Sequence, residues 1–453
     1  MKKHFFTLAA FLFLLFPLII FSSGAEVSRH NYSLTFLWIA VILLAAKTSS
    51  LIEKFGQPAV LGELIIGIVI GNLGLVGINI FENLSTDIFI PFLAELGVVI
   101  LLFQVGLESN IQQMKKVGVR ALLVACVGVV APFILGTFIV GPFFLKGLPF
   151  NSYLFLGTAL VATSVGITAR VFKDLNKTQL KESQIILGAA VIDDVLGLII
   201  LAIVSAIVVS GTVNLLGIGV ITIKAFVFLV GAIFLGQIFA PKIGQLFSKI
   251  HTGIGMKFTL AVSFGLVLAF VAKELGLAPI VGAFAAGLVL DPVHFKFFKK
   301  PKVVYDLQDV SETVNHNVKK IIEKKIHEYS ERHIEDLIEP IAHFLVPIFF
   351  VMTGFTVNLQ EFFKPPIILT AIIITLVAIL GKVVSGLVAG RVNKLIVGVG
   401  MVPRGEVGLI FAMTGKSLGV VSDSIYSIII IVVILSTLLT PPVLTYLIKK
   451  SKV

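Results

Sequence analysis

Thirteen stretches of this sequence are apolar for long enough, or nearly so, to cross a hydrocarbon core ~30 Å thick. In chain order they cover about 33–51, 59–77, 88–107, 118–142, 152–172, 184–210, 215–240, 255–273, 277–291, 340–357, 366–388, 394–415 and 424–448, runs 1 to 13 below. A backbone in lipid must satisfy its own hydrogen bonds, which leaves helices and closed barrels. Barrel strands alternate apolar and polar residues, whereas these runs are continuously apolar and rich in glycine. The expectation is an all-α polytopic membrane protein with about 13 transmembrane helices. Composition agrees, since 57% of the 453 residues are hydrophobic and 13% charged. A soluble chain carries roughly 25% charged residues. So little charge cannot cover soluble domains of this size, and it excludes disorder as well. The lone cysteine, Cys126, excludes a disulfide framework and a CxxC metal site.

Basic residues set the direction of the spans. Lys115, Lys116 and Arg120 follow run 3, and Arg170, Lys173, Lys177 and Lys181 follow run 5. Lys242, Lys249 and Lys257 follow run 7, and Lys449, Lys450 and Lys452 follow run 13. The opposite connections hold Glu82 and Asp87 after run 2 and the short segment 211–214 after run 6. Odd-numbered runs therefore end in the cytoplasm, with the mature N terminus outside and the C terminus cytoplasmic, in the cell inner (plasma) membrane. The net charge of +11 is a loop bias, and no basic stripe interleaves with aromatics as a nucleic-acid surface would require. Residues 1–25 read as a signal peptide: Lys2 and Lys3, an apolar stretch 5–21, then small residues at 23–25. An uncleaved anchor would give the same parity.

The chain repeats itself. Residues 56–67 align with 276–287, with glycines coinciding at 56/276, 62/282 and 67/287, an offset of 220. Residues 106–112 align with 354–360, sharing Gly106/Gly354, Asn110/Asn358 and Gln112/Gln360, an offset of 248. The difference locates a charged cytoplasmic insertion at 292–339. Run 2 points outward and run 9 inward, so runs 1–6 and 8–13 form two inverted-topology repeats joined by run 7 (215–240). Secondary transporters are often built this way, with the substrate site near midplane at the repeat interface.

Ionisable groups inside a span are expensive and mark function. Asp193 and Asp194 sit about nine residues into run 6, near midplane at ~1.5 Å per residue. Adjacent on a helix, they point about 100° apart, so one can face a counter-charge and the other an aqueous cavity. Such a pair can hold a proton or a small cation. Lys382 in run 11 is the natural counter-charge, with a lysine snorkelling to the interface as the alternative. Run 5 gathers Thr163, Ser164, Gly166 and Thr168 mid-span; run 12 carries Pro403, Arg404, Gly405 and Glu406 after Gly398 and Gly400. Both are the fifth helix of their repeat, where discontinuous helices are expected. Arg404 and Glu406 are read as a structural or gating ion pair. Glu63 and Glu108 read as interfacial, Lys224 as marking the outer interface, and Glu95 and Gln104 as deeper. His294, His316, His327 and His333 of the insertion read as solvated, with a pH sensor or metal site as the alternative.

At these residues the chain resembles the second monovalent cation:proton antiporter family, the bacterial Na+/H+ and K+/H+ exchangers. The segments 191–197 (VIDDVLG), 162–170 (ATSVGITAR) and 402–409 (VPRGEVGL) carry the likeness, which extends over nearly all thirteen runs. It implies a homodimer with a dimerisation domain of runs 1–3 (33–107) and 8–10 (255–291 and 340–357). It also implies an ion-transporting core of runs 4–6 (118–210) and 11–13 (366–448), in which the two discontinuous helices cross. Asp194 would be the Na+ and proton carrier, with Asp193 able to pair with Lys382, and the Asp-Asp pair resembles the electrogenic branch. The expected function is secondary active exchange of Na+, with Li+ or K+ as alternatives, for protons. Thr163 and Ser164 would be further oxygen ligands; no cofactor and no enzymatic activity are implied. One rival is a sodium-coupled organic-anion symporter on a related scaffold. Another is an intramembrane aspartyl protease, whose two aspartates come from separate helices; its Gly-x-Gly-Asp motif is not found in the sequence.

Overall fold

The protein is described by a computed structural model covering residues 32–55, 57–81, 84, 87–108, 118–175, 177, 180–210, 215–290, 333–362 and 364–451, with scattered positions between 297 and 326. The expected signal peptide 1–25, most of the 292–339 insertion with His294, His316 and His327, and the side chains of Glu108 and His333 lie outside the described residues.

Helices account for each of the thirteen apolar runs, and no strand occurs among the described residues. They are α1 (Tyr32–Ser49), α2 (Ala59–Gly71), α3 (Phe89–Glu108), α4 (Val119–Ile134), α5 (Phe150–Ala159), α6 (Val165–Asp174), α7 (Lys181–Ser210) and α8 (Leu215–Ser248). The second half supplies α9 (Ile254–Glu274), α10 (Pro279–Val289), α11 (His333–Phe355), α12 (Pro365–Val383), α13 (Lys394–Gly400), α14 (Glu406–Ser417) and α15 (Asp423–Lys450). Among the described residues nine helical segments are long and apolar enough to cross a membrane unaided; α2 and α10 are shorter. Runs 5 and 12 are each cut in two, into α5 with α6 and α13 with α14.

Local chemistry sets several ends. Asp87 Oδ1 accepts from the amides of Phe89 and Ile90 at the start of α3. Asn393 caps α13 through Ile396 N, and Ser422 caps α15 through Ile425 N. Pro132 removes a donor within α4, and the helix widens just beyond it into a π turn over Leu135–Val140.

The internal repeat reappears as a repeated packing arrangement. A Cβ on Gly67 of α2 would overlap the carbonyl of Val351, and one on Gly287 of α10 would overlap that of Phe103. Val351 and Phe103 are themselves 248 positions apart, the offset of the second matched segment. In return Gly106 meets Phe284, Gly287 and Leu288, while Gly354 meets Leu64, Gly67 and Ile68, three pairs at an offset of 220. Glycine lets the backbones touch at these crossings, as small residues do between membrane helices.

Contacts divide the chain into residues 1–97 with 344–364, and 98–343 with 365–453. The first unit holds α1, α2, the start of α3 and the end of α11. In the second, α8 packs on both α7 and α10, and a buried cluster including Val124, Phe172, Ala189, Val397 and Leu444 joins α4, α6, α7, α13 and α15.

Candidate functional site

Every residue read as ion-binding, Asp193, Asp194, Thr163 and Ser164, lies in the second unit. α7 is unbroken for 30 residues, and Asp193 and Asp194 fall near its middle. Asp193 turns toward α12 and its Oδ1 accepts a hydrogen bond from Lys382 Nζ at 2.8 Å. Both side chains are 0% exposed. Lys382 is thus bound in the interior and does not snorkel. Asp193 Oδ2 has no hydrogen-bond partner among the described residues. Asp194, its neighbour on α7, keeps 9% exposure.

Two glycines let the helices close around this pair. A Cβ on Gly381 of α12 would lie 3.1 Å from Pro132 Cα of α4, so these backbones meet just before Lys382. Gly128, one turn earlier on α4, has Asp193 Oδ1 at 3.7 Å and Lys382 Cδ at 3.8 Å from its Cβ position. Removing one partner of such a buried ion pair would strand the other charge, at a cost of about 3–5 kcal/mol.

The two helix breaks are bonded to each other. Pro403 cannot donate and biases Val402 away from helical geometry, which explains the gap between Gly400 and Glu406. In run 5 the gap covers 160–164, and Gly166 lies inside α6 beyond it. Ser164 N donates to Pro403 O at 2.7 Å across the breaks. Thr163 Oγ1 donates to Met401 O at 3.2 Å, and Thr168 Oγ1 to Gly400 O at 2.7 Å. The hydroxyls of run 5 therefore satisfy carbonyls at the end of α13, which lack amide partners of their own. Gly405 lies so close that an added Cβ would sit 2.7 Å from Ser164 Cβ.

Arg404 is fully buried at 0% exposure. Its Nη1 donates to Val402 O at 2.6 Å, and its Nη2 to Leu160 O at 2.8 Å and Ala378 O at 3.1 Å. Its backbone N–H donates to Ser436 Oγ at 3.3 Å, and its carbonyl accepts from Thr437 Oγ1 at 2.5 Å. Glu406 opens α14 half-buried, and no ion pair joins it to Arg404. The guanidinium is drawn instead to carbonyls at the breaks.

Sequence reading passed over three participants. Ser436 and Thr437 of α15 hold the Arg404 backbone; the hydroxyls at 436, 437 and 440 in run 13 were the available signal. Glu182 at the start of α7 is 6% exposed and accepts from Asn393 N at 2.8 Å, tying α7 to the start of α13. Glu63 of α2 is buried at 5% exposure, next to Gly62, whose Cβ position lies against the Ser49 carbonyl. Glu95 is exposed and Gln104 partly buried.

With this geometry in place, comparison with known proteins is specific. Residues 39–450 match the family described as sodium/hydrogen exchanger, transmembrane. The high-affinity Na(+)/H(+) antiporter NhaS3 of Synechocystis is 34% identical over 444 residues, covering 90% of this chain and 88% of that protein. The Na(+)/H(+)-K(+) antiporter GerN of Bacillus cereus is 33% identical over 422 residues, covering 91% and 95%. The solved structure of the sodium proton antiporter MjNhaP1 from Methanocaldococcus jannaschii at pH 8 has the same fold. It superposes with a TM-score of 0.65 at 16% identity over 92% of this chain and 99% of that one.

Proposed function

This chain belongs to the sodium/hydrogen exchanger family, and we propose that its exchange of Na+ for protons runs through a single site on Asp194. The observation that carries the assignment is the unequal situation of the two aspartates. Asp193 is bonded to Lys382 at 2.8 Å with 0% exposure, whereas Asp194 keeps 9%. A carboxylate can hold a proton or, with further oxygens, a dehydrated Na+, but not both at full strength. Thr163, Ser164 and nearby backbone carbonyls are the oxygens at hand. Binding on one side of the membrane, re-exposure on the other, and expulsion of the cation by the next proton complete a cycle of alternating access.

Further parts of the reading rest on this one. Opening and re-forming of the Asp193–Lys382 bond in each cycle would move a second proton and make exchange electrogenic. Runs 4–6 and 11–13 would carry the ion against a dimerisation domain of runs 1–3 and 8–10, in a homodimer within the cell inner membrane, C terminus cytoplasmic. Li+ competes at a site built for Na+, and the likeness to the Na(+)/H(+)-K(+) antiporter of Bacillus cereus makes K+ the next cation to titrate.

Proteoliposomes loaded with a pH dye test the core assignment. Wild-type protein is expected to move protons on addition of Na+, and Asp194→Asn to lose that movement while staying folded. Undiminished exchange by Asp194→Asn would sink the assignment.

A further inference from the structure

The helix before the run 12 break, α13, has seven residues. A helix this short is marginal by itself, so its position comes from what holds its two ends. At the break its carbonyls are taken by run 5: Thr163 Oγ1 donates to Met401 O at 3.2 Å and Thr168 Oγ1 to Gly400 O at 2.7 Å. At its start the amide of Asn393 donates to Glu182 Oε1 at 2.8 Å. Glu182 is 6% exposed, and this is the one hydrogen bond to its carboxylate among the described residues. It is the second residue of α7, the helix that carries Asp193 and Asp194 eleven and twelve positions further on.

Other contacts leave the depth of α13 less closely defined. The chain enters it from the irregular stretch 389–393. Gly386 meets the carbonyl of Lys394 and Gly398 that of Val383, which sets how near α13 lies to the end of α12. Contacts of that kind set a separation, whereas a short directional hydrogen bond also fixes a position along the axis. Beyond the bond at Glu182, α13 still follows α7, since a Cβ on Gly400 would overlap Ile186.

We infer that Glu182 is a positioning residue for exchange: through α13 as a strut, it sets the depth of Thr163 and Ser164 against Asp194. This rests on the carrier reading of Asp194 and adds what holds the further oxygens at their height. Glu182 and Asp194 share one unbroken helix, so their separation is fixed. The strut runs eight positions from Asn393 to Met401, ~12 Å of helical rise, and ends on the Thr163 hydroxyl. Two residues further, Pro403 O accepts from Ser164 N at 2.7 Å. Every link from Glu182 to run 5 is thus a hydrogen bond or a short stretch of chain that α13 makes stiff. A carboxylate suits the first link, because a hydrogen bond to an ionised acceptor is stronger than one to a neutral oxygen.

Glu182→Ala frees the start of α13. In proteoliposomes with a pH dye, E182A is expected to need roughly tenfold more Na+ for half-maximal exchange, the scale of one lost charge-assisted hydrogen bond. Its maximal rate should stay close to that of wild type. Glu182→Gln keeps an acceptor oxygen and should return to the wild-type Na+ dependence. Asn393→Ala removes the cap on Ile396 N and leaves the 393 amide in place, so it should not shift that dependence, which separates lost register from lost stability. Hydrogen exchange of the amides 394–401, read by mass spectrometry on the full chain, should quicken in E182A and not in E182Q. Unchanged Na+ dependence in folded E182A, a fall in maximal rate alone, or unchanged hydrogen exchange would overturn the inference. If E182A does not fold, Glu182→Asp carries the test, since its carboxylate stops one methylene short of the Asn393 amide. The same shift in Na+ dependence is expected there, and its absence would count against the strut. Normal exchange by D194N would overturn the carrier reading instead; quickened hydrogen exchange in E182A combined with D194N tells that failure from a failure of the strut.

Discussion

The crossings of α2 and α10 and the breaks in runs 5 and 12 are both places where the two repeats can be laid side by side, and they have aged differently. At the crossings the copies keep the same residue in the same contact: Gly67 against Val351 and Gly287 against Phe103, Gly354 against Leu64 and Gly106 against Phe284. At the breaks the copies share only the interruption. One offers Thr163 and Ser164, the other Pro403, Arg404 and Gly405. Packing has stayed symmetric where only backbones meet, because glycine is the one residue a carbonyl contact of that kind admits. Chemistry has become asymmetric where charge is handled, because one fixed cation can serve both breaks at once and a second would repel it.

The comparison can be attacked from its charged side first, where effects are largest. Loss of exchange in Asp194→Asn is the greatest expected change and leaves the glycine crossings untouched. Next comes Lys382→Ala, which strands Asp193 in the interior and should cost about 3–5 kcal/mol in a thermal melt. Adding Asp193→Asn to it should return part of that stability, and a double variant no better than the single one would show that the pair is not the cause. The symmetric side is tested by Gly67→Ala and Gly287→Ala. Each forces a carbonyl to move, at roughly 1–3 kcal/mol of overpacking, and the two losses should be similar. A loss confined to one copy would break the claim of equivalent packing.

Gly405→Ala probes the join between the breaks. Its methyl would crowd Ser164, whose Cβ is 2.7 Å away, with a cost of about 1–3 kcal/mol and slower exchange. Ser164→Gly in the same chain should relieve the crowding and return part of that stability, and a thermal melt that shows no recovery would place the damage elsewhere. The smallest effect belongs to a local cap. Asn393→Ala removes the acceptor for Ile396 N at the start of α13, worth about 1 kcal/mol of stability. Exchange per folded molecule should hardly change.

Legibility followed the range of the forces involved. Run 12 announced its break through Pro403 and Gly405, whose backbone restrictions act within two or three residues. Run 5 was harder. Its hydroxyl and glycine cluster pointed to a break, but the gap lies at 160–164, and Gly166 is helical. Leu160 and Ala162 are good helix formers, and no proline or glycine at 160–164 marks where the helix stops. Lys382 was legible as a buried charge without its partner being certain. Arg404 was legible as important, but its expected partner, Glu406, is not where its hydrogen bonds go.

Sequence alone determined the helical, membrane-embedded class, the thirteen apolar runs, the internal repeat and the adjacency of the two aspartates within run 6. Those properties follow from hydropathy and helical rise, which act within one segment. Only the tertiary structure decided how closely Asp193 and Lys382 meet, and that Arg404 reaches carbonyls as distant in sequence as Leu160, 244 positions away. A backbone carbonyl has no side-chain identity to read. Its availability is set by where neighbouring helices stop, and by which of them the packing brings alongside.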